Sequence, residues 1–118
     1  MPSKAQHIDY DMLEELKEIM EDEFLELLRA FLSDSEMRIK SLKVAYSAND
    51  HENARKIAHS FKGSSGNIGA HNLSQMCKQF EELAKNGRTS DAGSLLAGLE
   101  TEFDSVSSEL QNVVSAQL

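Results

Sequence analysis

One histidine, His59, has the side chain and the neighbours that could act chemically on a partner molecule. At about 100° per residue, the apolar residues near it cluster on one side of a helix, and His59 falls roughly opposite. These apolar residues are Ala54, Ile57, Ala58, Phe61 and Ile68. Within about 60° of His59 around the helix lie Glu52, Arg55, Lys56, Lys62, Gly63 and Gly66. An exposed neutral imidazole is a nucleophile near neutral pH, a lysine one turn on can offset negative charge, and a glycine leaves the ring unshielded.

The other residues of catalytic or metal-binding type form none of the common site patterns. The four histidines lack the HxxxH and HExxH spacings of a metal site, and the one cysteine, Cys77, falls on an apolar stripe. The sequence has no nucleophile elbow and no dinucleotide-binding fingerprint. Residues 63–66 are similar in composition to a phosphate-binding loop, but no strand precedes them. An enzyme with His59 as general base would need a partner acid and an oxyanion donor, and no motif supplies them.

The composition indicates a small, acidic, helical protein. The chain has 118 residues, of which 40% are hydrophobic and 27% charged, and this suits one globular domain with a modest core. A formal net charge of −8 argues against nucleic acid or an anionic membrane as the main partner. No apolar run approaches the roughly 20 residues of a membrane span, and no signal peptide is evident. A single cysteine makes no internal disulfide, which favours a reducing cytoplasm.

The elements that position His59 are predicted to be amphipathic helices, because apolar residues recur at helical spacing and the only proline is Pro2. We expect residues 1–8 to form a flexible tail and residues 9–116 to form the domain. Asp9 or Asp11 can cap a short first helix with the apolar positions Met12, Leu13, Leu16, Ile19 and Met20. Four longer helices with short turns predict an all-α, antiparallel up-down four-helix bundle, with the short helix covering one end.

Some segments allow more than one interpretation. Residues 33–36 interrupt an apolar stripe, and we interpret them as a solvated stretch of one long helix, with a break as the alternative. Residues 63–67 look like a loop, since each glycine costs a helix interior about 1 kcal/mol. Ser64, Ser65 and Ile68 nevertheless stay in phase with the apolar face, so periodicity alone does not decide between loop and helix. Thr89 or Ser90 is expected to cap the last helix.

Residues 59–70 closely resemble the signature of histidine-containing phosphotransfer domains, the intermediate carriers of multistep two-component phosphorelays. The pattern is a histidine, two variable positions with an apolar second, a lysine, a glycine, two serines, and a glycine six residues after the first. The size and helical order also match, so the resemblance covers nearly all of residues 9–115. It implies an antiparallel four-helix bundle with an N-terminal helix over one end, and it makes residues 63–67 the end of the histidine helix.

The resemblance implies roles for residues of the histidine helix. His59 matches the phosphorylated histidine, and Lys62 matches the residue that neighbours the phosphoryl group and neutralises its charge. Gly63 matches the position that leaves room for a receiver domain. The supporting residues Ser64, Ser65 and Gly69 match small residues that allow tight packing and the turn into the next helix.

The resemblance also points to a residue on the following helix. Such domains usually present glutamine or a similar polar group there, which hydrogen-bonds the other nitrogen of the histidine ring. In this sequence the matching position is Glu81, with Lys78 and Gln79 as further neighbours. A carboxylate at this place would fix the tautomer of the ring, and it would also favour the charged imidazolium.

We therefore predict a phosphocarrier and not an enzyme. His59 would accept a phosphoryl group from a receiver-domain aspartate and pass it to another response-regulator receiver, and the partners would be receivers of a hybrid sensor kinase and of response regulators. The chain itself would hold no cofactor and no metal, since the receiver would supply Mg²⁺. The protein is expected to be a cytoplasmic monomer that docks through apolar residues exposed beside His59. Candidates are Met12, Leu13 and Met37, whose apolar character core packing explains equally well. The alternative is an interaction module that binds a receiver without carrying phosphate.

Overall fold

The structure, a computed structural model, describes residues 6–117 and contains five α-helices. They are α1 (Tyr10–Met20), α2 (Phe24–Ser47), α3 (His51–Asn67), α4 (His71–Lys85) and α5 (Gly93–Gln117). Short 3-10 helices, Glu21–Glu23 and Thr89–Ala92, precede α2 and α5. No strand occurs within residues 6–117, and the predicted all-α class is confirmed. No helix in this part of the chain is long and apolar enough to cross a membrane.

Helices α2 to α5 form the bundle, and neighbouring helices fold back on each other. Arg38 on α2 donates a hydrogen bond to Ser60 on α3 over 3.2 Å, and the two residues are equally far from the turn that joins their helices. Ser74 near the start of α4 donates to the carbonyl of Lys62 in the last third of α3 over 2.9 Å. The core between the helices consists of apolar side chains, among which Leu28, Leu42, Phe61, Leu73, Phe80, Leu99 and Leu110 are fully buried.

Helix α3 is continuous through its glycine-rich end. It begins after Asp50, whose carboxylate accepts a hydrogen bond from the backbone N–H of Asn53 over 3.1 Å. The helix then runs to Asn67, so residues 63–67 are helical, as the family resemblance implies. Gly69 turns the chain into α4 with a φ of 89°, which favours glycine, and an added Cβ there would lie 3.2 Å from the carbonyl oxygen of Asp9.

The N-terminal segment differs from the flexible tail predicted over residues 1–8. Ile8 is fully buried in the core, and Nδ1 of His7 lies 2.9 Å from the carboxylate of Glu102 on α5. The N–H of Asp9 donates to the carbonyl of Gly69 over 2.9 Å, and its carboxylate caps α1. One buried side chain produces no periodic pattern, so the sequence gives no signal for it. Residues 1–5 lie outside the described residues.

Three further local predictions differ from the structure. Ile19, predicted to face the core, is 77% exposed, because α1 buries only a narrow stripe centred on Leu13. Residues 33–36 belong to one long helix as expected, yet Ser35 is fully buried and not solvated. Thr89 is buried beside His51, with Oγ1 2.7 Å from Nδ1, and α5 begins at Gly93 rather than directly after Thr89 or Ser90.

Candidate functional site

His59 lies near the middle of α3, on the face opposite the core. Ala58 and Phe61 of the same helix are fully buried, and this orientation leaves the His59 side chain 65% exposed. The helical spacing therefore predicted the orientation of the ring correctly. A large partner can reach the imidazole without any rearrangement of the bundle.

Glu81 on α4 connects His59 with Lys62. Its Oε2 lies 2.8 Å from Nδ1 of His59, and its Oε1 accepts a hydrogen bond from Nζ of Lys62 over 2.7 Å. Because His59 and Lys62 lie three residues apart on α3, both side chains can reach one carboxylate on the neighbouring helix. The Glu81 side chain is 14% exposed, whereas Lys62 is 31% exposed.

The charge of Glu81 determines the tautomer of His59. Burial acts to raise the pKa of Glu81, but the hydrogen bonds from Lys62 and His59 outweigh it, and the pKa lies below its usual value. An ionised carboxylate only accepts hydrogen bonds, so Nδ1 of His59 carries the hydrogen and donates it to Glu81. When the ring is neutral, Nε2 keeps its lone pair and can act as a nucleophile.

The surface on the C-terminal side of His59 is open. No heavy atom of the described residues lies within 4 Å of the position that a Cβ of Gly63 would take, apart from its own helix backbone. Ser64 is half-buried and donates to the carbonyl of Phe61 over 3.2 Å, and Ser65 is fully buried. The structure thus brings His59, Lys62, Gly63 and Glu81 to one site, while the other supporting residues lie in the packing and the turn.

An apolar groove of 340 Å³ opens beside the same end of α3. Its lining residues come from α1, α2 and the end of α3, and the apolar ones are Leu16, Met20, Leu27, Ala30, Phe31 and Ile68. Of the docking residues predicted from the sequence, Met37 is 66% exposed, but Leu13 is only 3% exposed and Met12 is half-buried. Leu13 cannot serve as a docking residue, because its side chain packs in the core.

Two features of the site were not predicted. The ion pair between Lys62 and Glu81 joins positions nineteen residues apart, and only the pairing of α3 with α4 brings them together. Lys78 and Gln79, named as neighbours of the ring, instead line a cleft on the α5 side of α4, together with Leu95. Helical phase could have separated Gln79 from Glu81, because the two lie about 160° apart around α4, but it could not have separated Lys78, which lies within about 60° of Glu81.

No metal centre is evident among the described residues. Within residues 6–117, no group of three or more His, Cys, Asp or Glu side chains is arranged to hold a metal ion. Cys77 is fully buried in α4, and burial raises the pKa of its thiol to about 12. The thiol is therefore protonated and unavailable as a nucleophile near neutral pH.

A family model of the Hpt domain matches residues 26–109. The chain belongs to the Hpt domain family of histidine-containing phosphotransfer proteins. Members of this family are phosphocarrier modules and not enzymes, and they interact with receiver domains in two-component systems. The protein accordingly has a phosphotransfer role in two-component signalling.

Solved structures agree with this assignment. The chain is 41% identical to histidine-containing phosphotransfer protein B (HptB) from Pseudomonas aeruginosa PAO1, with a TM-score of 0.92 over 96% of this chain and 98% of that one. Maize ZmHP2 has 21% identity and a TM-score of 0.84, covering 95% and 92% of the two chains. The HPT domain of a sensor hybrid histidine kinase from Shewanella also has 21% identity, with a TM-score of 0.81 over 98% of each chain, and these two show the fold alone. None of the curated protein sequences compared with the chain matches it significantly.

Proposed function

We propose that the protein is an intermediate carrier of a phosphorelay, in which His59 accepts a phosphoryl group from one receiver domain and passes it to another. The observation that carries this proposal is an exposed imidazole whose Nδ1 is bonded to Glu81, so that Nε2 is free to attack. Phosphoryl transfer depends mainly on in-line positioning and charge neutralisation. A helical surface that presents one oriented nucleophile is sufficient when the receiver supplies the remaining groups.

The transfer consists of two displacements at phosphorus. In the first, the lone pair of Nε2 forms a bond to the phosphorus of an aspartyl phosphate, and the bond to the aspartate oxygen breaks. The aspartate leaves as a carboxylate, and the positive charge of the phosphorylated ring is shared with Nδ1–H, which faces Glu81. In the second, a carboxylate oxygen of another receiver attacks phosphorus, and Nε2 departs with its electron pair as a neutral ring.

Lys62 and Gly63 are assigned supporting roles in this proposal. The ammonium of Lys62 has three donors, one of which bonds to Glu81, and the others remain for the oxygens of a phosphoryl group on Nε2. Gly63 leaves space for the receiver surface around its aspartate. Mg²⁺ is expected in the receiver, where it would neutralise the phosphoryl oxygens.

The receiver is proposed to dock over His59 and the adjoining groove. The groove presents the half-buried apolar side chains of Leu16, Met20 and Leu27 next to the glycine-rich end of α3. Apolar surface beside the reacting residue supplies binding energy that a small polar site cannot. We further propose that the protein works as a monomer in the cytoplasm, which is consistent with a single, buried cysteine.

The proposal is tested by incubating the protein with a receiver that carries a labelled aspartyl phosphate. Wild type is expected to acquire a phosphate that is labile in acid and stable in base, whereas His59→Ala acquires none. His71→Ala is a matched control, because His71 is also an exposed histidine of the bundle, with 58% of its side chain accessible.

The outcome distinguishes a phosphocarrier from an interaction module that binds a receiver without carrying phosphate. Equal labelling of wild type and His59→Ala would contradict the assignment of His59. A protein that binds the receiver tightly but never acquires label would be an interaction module without phosphate. Transfer of the label from the isolated phosphoprotein to a second receiver is required for the complete relay.

A further inference from the structure

Glu81 offers His59 a negative charge as well as a hydrogen bond. A glutamine side chain has the same shape, but Glu81 accepts from His59 and from Lys62 through two different oxygens, and in glutamine one of these would be an NH2 group, which cannot accept. A glutamine would also lack the Coulomb attraction that favours the protonated form of a neighbouring imidazole. The choice of carboxylate over amide therefore matters most when the ring is positively charged.

A ring that carries a phosphoryl group on Nε2 is positively charged as long as Nδ1 keeps its hydrogen. With hydrogen on Nδ1, breakage of the bond between Nε2 and phosphorus releases neutral imidazole, which is a weak base and a good leaving group. Without that hydrogen, the same breakage would release an imidazolate anion, which is a far poorer leaving group. The rate of discharge is therefore governed by the fraction of phosphorylated rings that keep the hydrogen on Nδ1.

The other charges around His59 act in the opposite direction to Glu81. On α3 the cations are Arg55, Lys56 and Lys62, with Glu52 bonded to Arg55 over 2.9 Å. On α4 Lys85 lines a cleft together with Glu81 and Arg55, and on α2 Arg38 bonds to Ser60 beside the ring. Each of these cations disfavours a protonated ring, and Glu81 at 2.8 Å is the anion in direct contact with it.

We propose that the carboxylate of Glu81 keeps the phosphorylated His59 ring protonated on Nδ1 and thereby speeds the discharge of its phosphoryl group to receivers and to water. This proposal rests on phosphorylation of His59. It makes Glu81 a positioning residue, which acts on the reacting nitrogen through the opposite nitrogen of the same ring.

The test compares wild type with Glu81→Gln after loading by phosphoramidate, a small phosphoryl donor that needs no receiver. Decay of the phosphate on His59 is followed by site-resolved NMR between about pH 5 and pH 9. At pH 5 the two decay rates are expected to agree, because both rings are protonated. At pH 8–9 the variant is expected to decay about two- to fivefold more slowly, the range for the loss of one partly exposed ion pair.

Two further variants distinguish an effect of the negative charge of Glu81 from a structural effect of its substitution. Glu82→Gln removes a neighbouring carboxylate that lies on the α5 side of α4, and its decay profile is expected to match that of wild type. Lys62→Ala removes a cation next to Glu81. In this variant, fast decay of the phosphate on His59 is expected to persist to a higher pH than in wild type. A structural defect at Glu81 would instead slow decay at every pH.

The role of Glu81 and the proposed relay can be contradicted independently of each other. Coincident decay of wild type and Glu81→Gln above about pH 7 would overturn the role of Glu81 while leaving phosphorylation of His59 intact. A chain that phosphoramidate loads but receivers do not would contradict the relay, and the decay rates would still decide the role of Glu81. Slower transfer from Glu81→Gln to a receiver, with the same pH dependence as decay to water, would support the proposal.

Discussion

The side chains that meet at His59 contribute little to the stability of the bundle. The ring of His59 is 65% exposed, and the Lys62 side chain keeps 31% of its surface in solvent. Ion pairs at such positions contribute about 0–1 kcal/mol to the free energy of unfolding. Substitutions at this site therefore change the chemistry of the protein without unfolding it, which makes single variants informative.

Gly63 offers a test of access to the ring. We expect Gly63→Gln to slow transfer between a receiver and His59, because a long side chain would stand where the receiver must approach. The same variant is expected to unfold at a higher temperature than wild type, since glycine in an exposed helix interior costs about 0.5–1 kcal/mol. Transfer is measured by rapid quench and stability by thermal denaturation.

Gly63→Ala is the matched control for this experiment. Its Cβ meets no atom of the described residues within 4 Å beyond the local backbone, so it gains the helix propensity and adds almost no bulk. Transfer by this variant is expected to be close to that of wild type. Normal transfer rates in Gly63→Gln would show that the receiver does not approach over this position.

At the scale of elements, α3 carries the site and its packing fixes the position of the ring. The cap at Asp50 could be predicted from its residue type, and the pattern of buried and exposed residues could be predicted from helical spacing. Whether residues 63–67 are helical was not predictable from spacing alone, since the cost of two glycines opposed the phase of Ser65 and Ile68. The family resemblance resolved this alternative, and burial of Ser65 against the core gives the physical reason.

Ser65 tests how tightly α3 packs. Its Oγ is buried and has no hydrogen-bond partner among the described residues. Ser65→Ala is expected to leave the free energy of unfolding unchanged or to raise it by up to about 1 kcal/mol, because no bond is lost. Ser65→Val is expected to lower it by about 1–3 kcal/mol through overpacking.

Urea denaturation of the two variants measures these effects. Ser64→Ala serves as control, since Ser64 is half-buried and bonds only to the carbonyl of Phe61. A Ser65→Val protein as stable as wild type would mean that α3 is loosely packed at this point and that a small side chain is not needed there.

Contacts between α3 and α4 are the part of the site that could not be predicted from the sequence. The family pattern was sufficient to identify Glu81, but its simultaneous contact with Lys62 depends on how α3 and α4 are aligned along their axes. The burial of Ile8 was likewise invisible, because it depends on how the chain before α1 crosses the end of the bundle. Tertiary placement of this kind leaves no periodic pattern in the sequence.

At the scale of the whole molecule, charge is distributed unevenly. Residues 51–88, which include α3 and α4, contain six Lys and Arg against three Asp and Glu, although the whole chain has twelve against twenty. The exposed face of α3 around His59, with Arg55, Lys56 and Lys62, belongs to this cationic part of an acidic protein. A receiver site with a phosphorylated aspartate and Mg²⁺ ligands is acidic, and such a site is attracted to this face and repelled by the rest.

Lys56 provides a test of this attraction. The side chain is 65% exposed and lies within one turn of His59. We expect Lys56→Glu to slow association with a receiver about three- to tenfold at low salt, with the difference shrinking as salt rises. Stopped-flow measurements over a range of ionic strengths follow the association rate.

Lys40→Glu is the control with the same change in net charge. Lys40 lies on α2 in a cleft with Glu36, Glu100 and Asp104, away from α3. The association rate of Lys40→Glu with a receiver is expected to stay within about twofold of the wild-type rate. Equal slowing by both variants would show that net charge alone, and not the cationic face, governs the encounter.

Because Cys77 is buried, the reactivity of its thiol reports how often the bundle opens transiently. The thiol lies in the middle of α4, fully buried, one turn before the residue that bonds to His59. Because burial also raises the pKa of the thiol to about 12, alkylating reagents can reach a reactive thiolate only when α4 separates from the core. The alkylation rate of the unmodified chain therefore measures how often α4 opens, and its change on phosphorylation measures how strongly the phosphorylated ring binds α3 and α4 together.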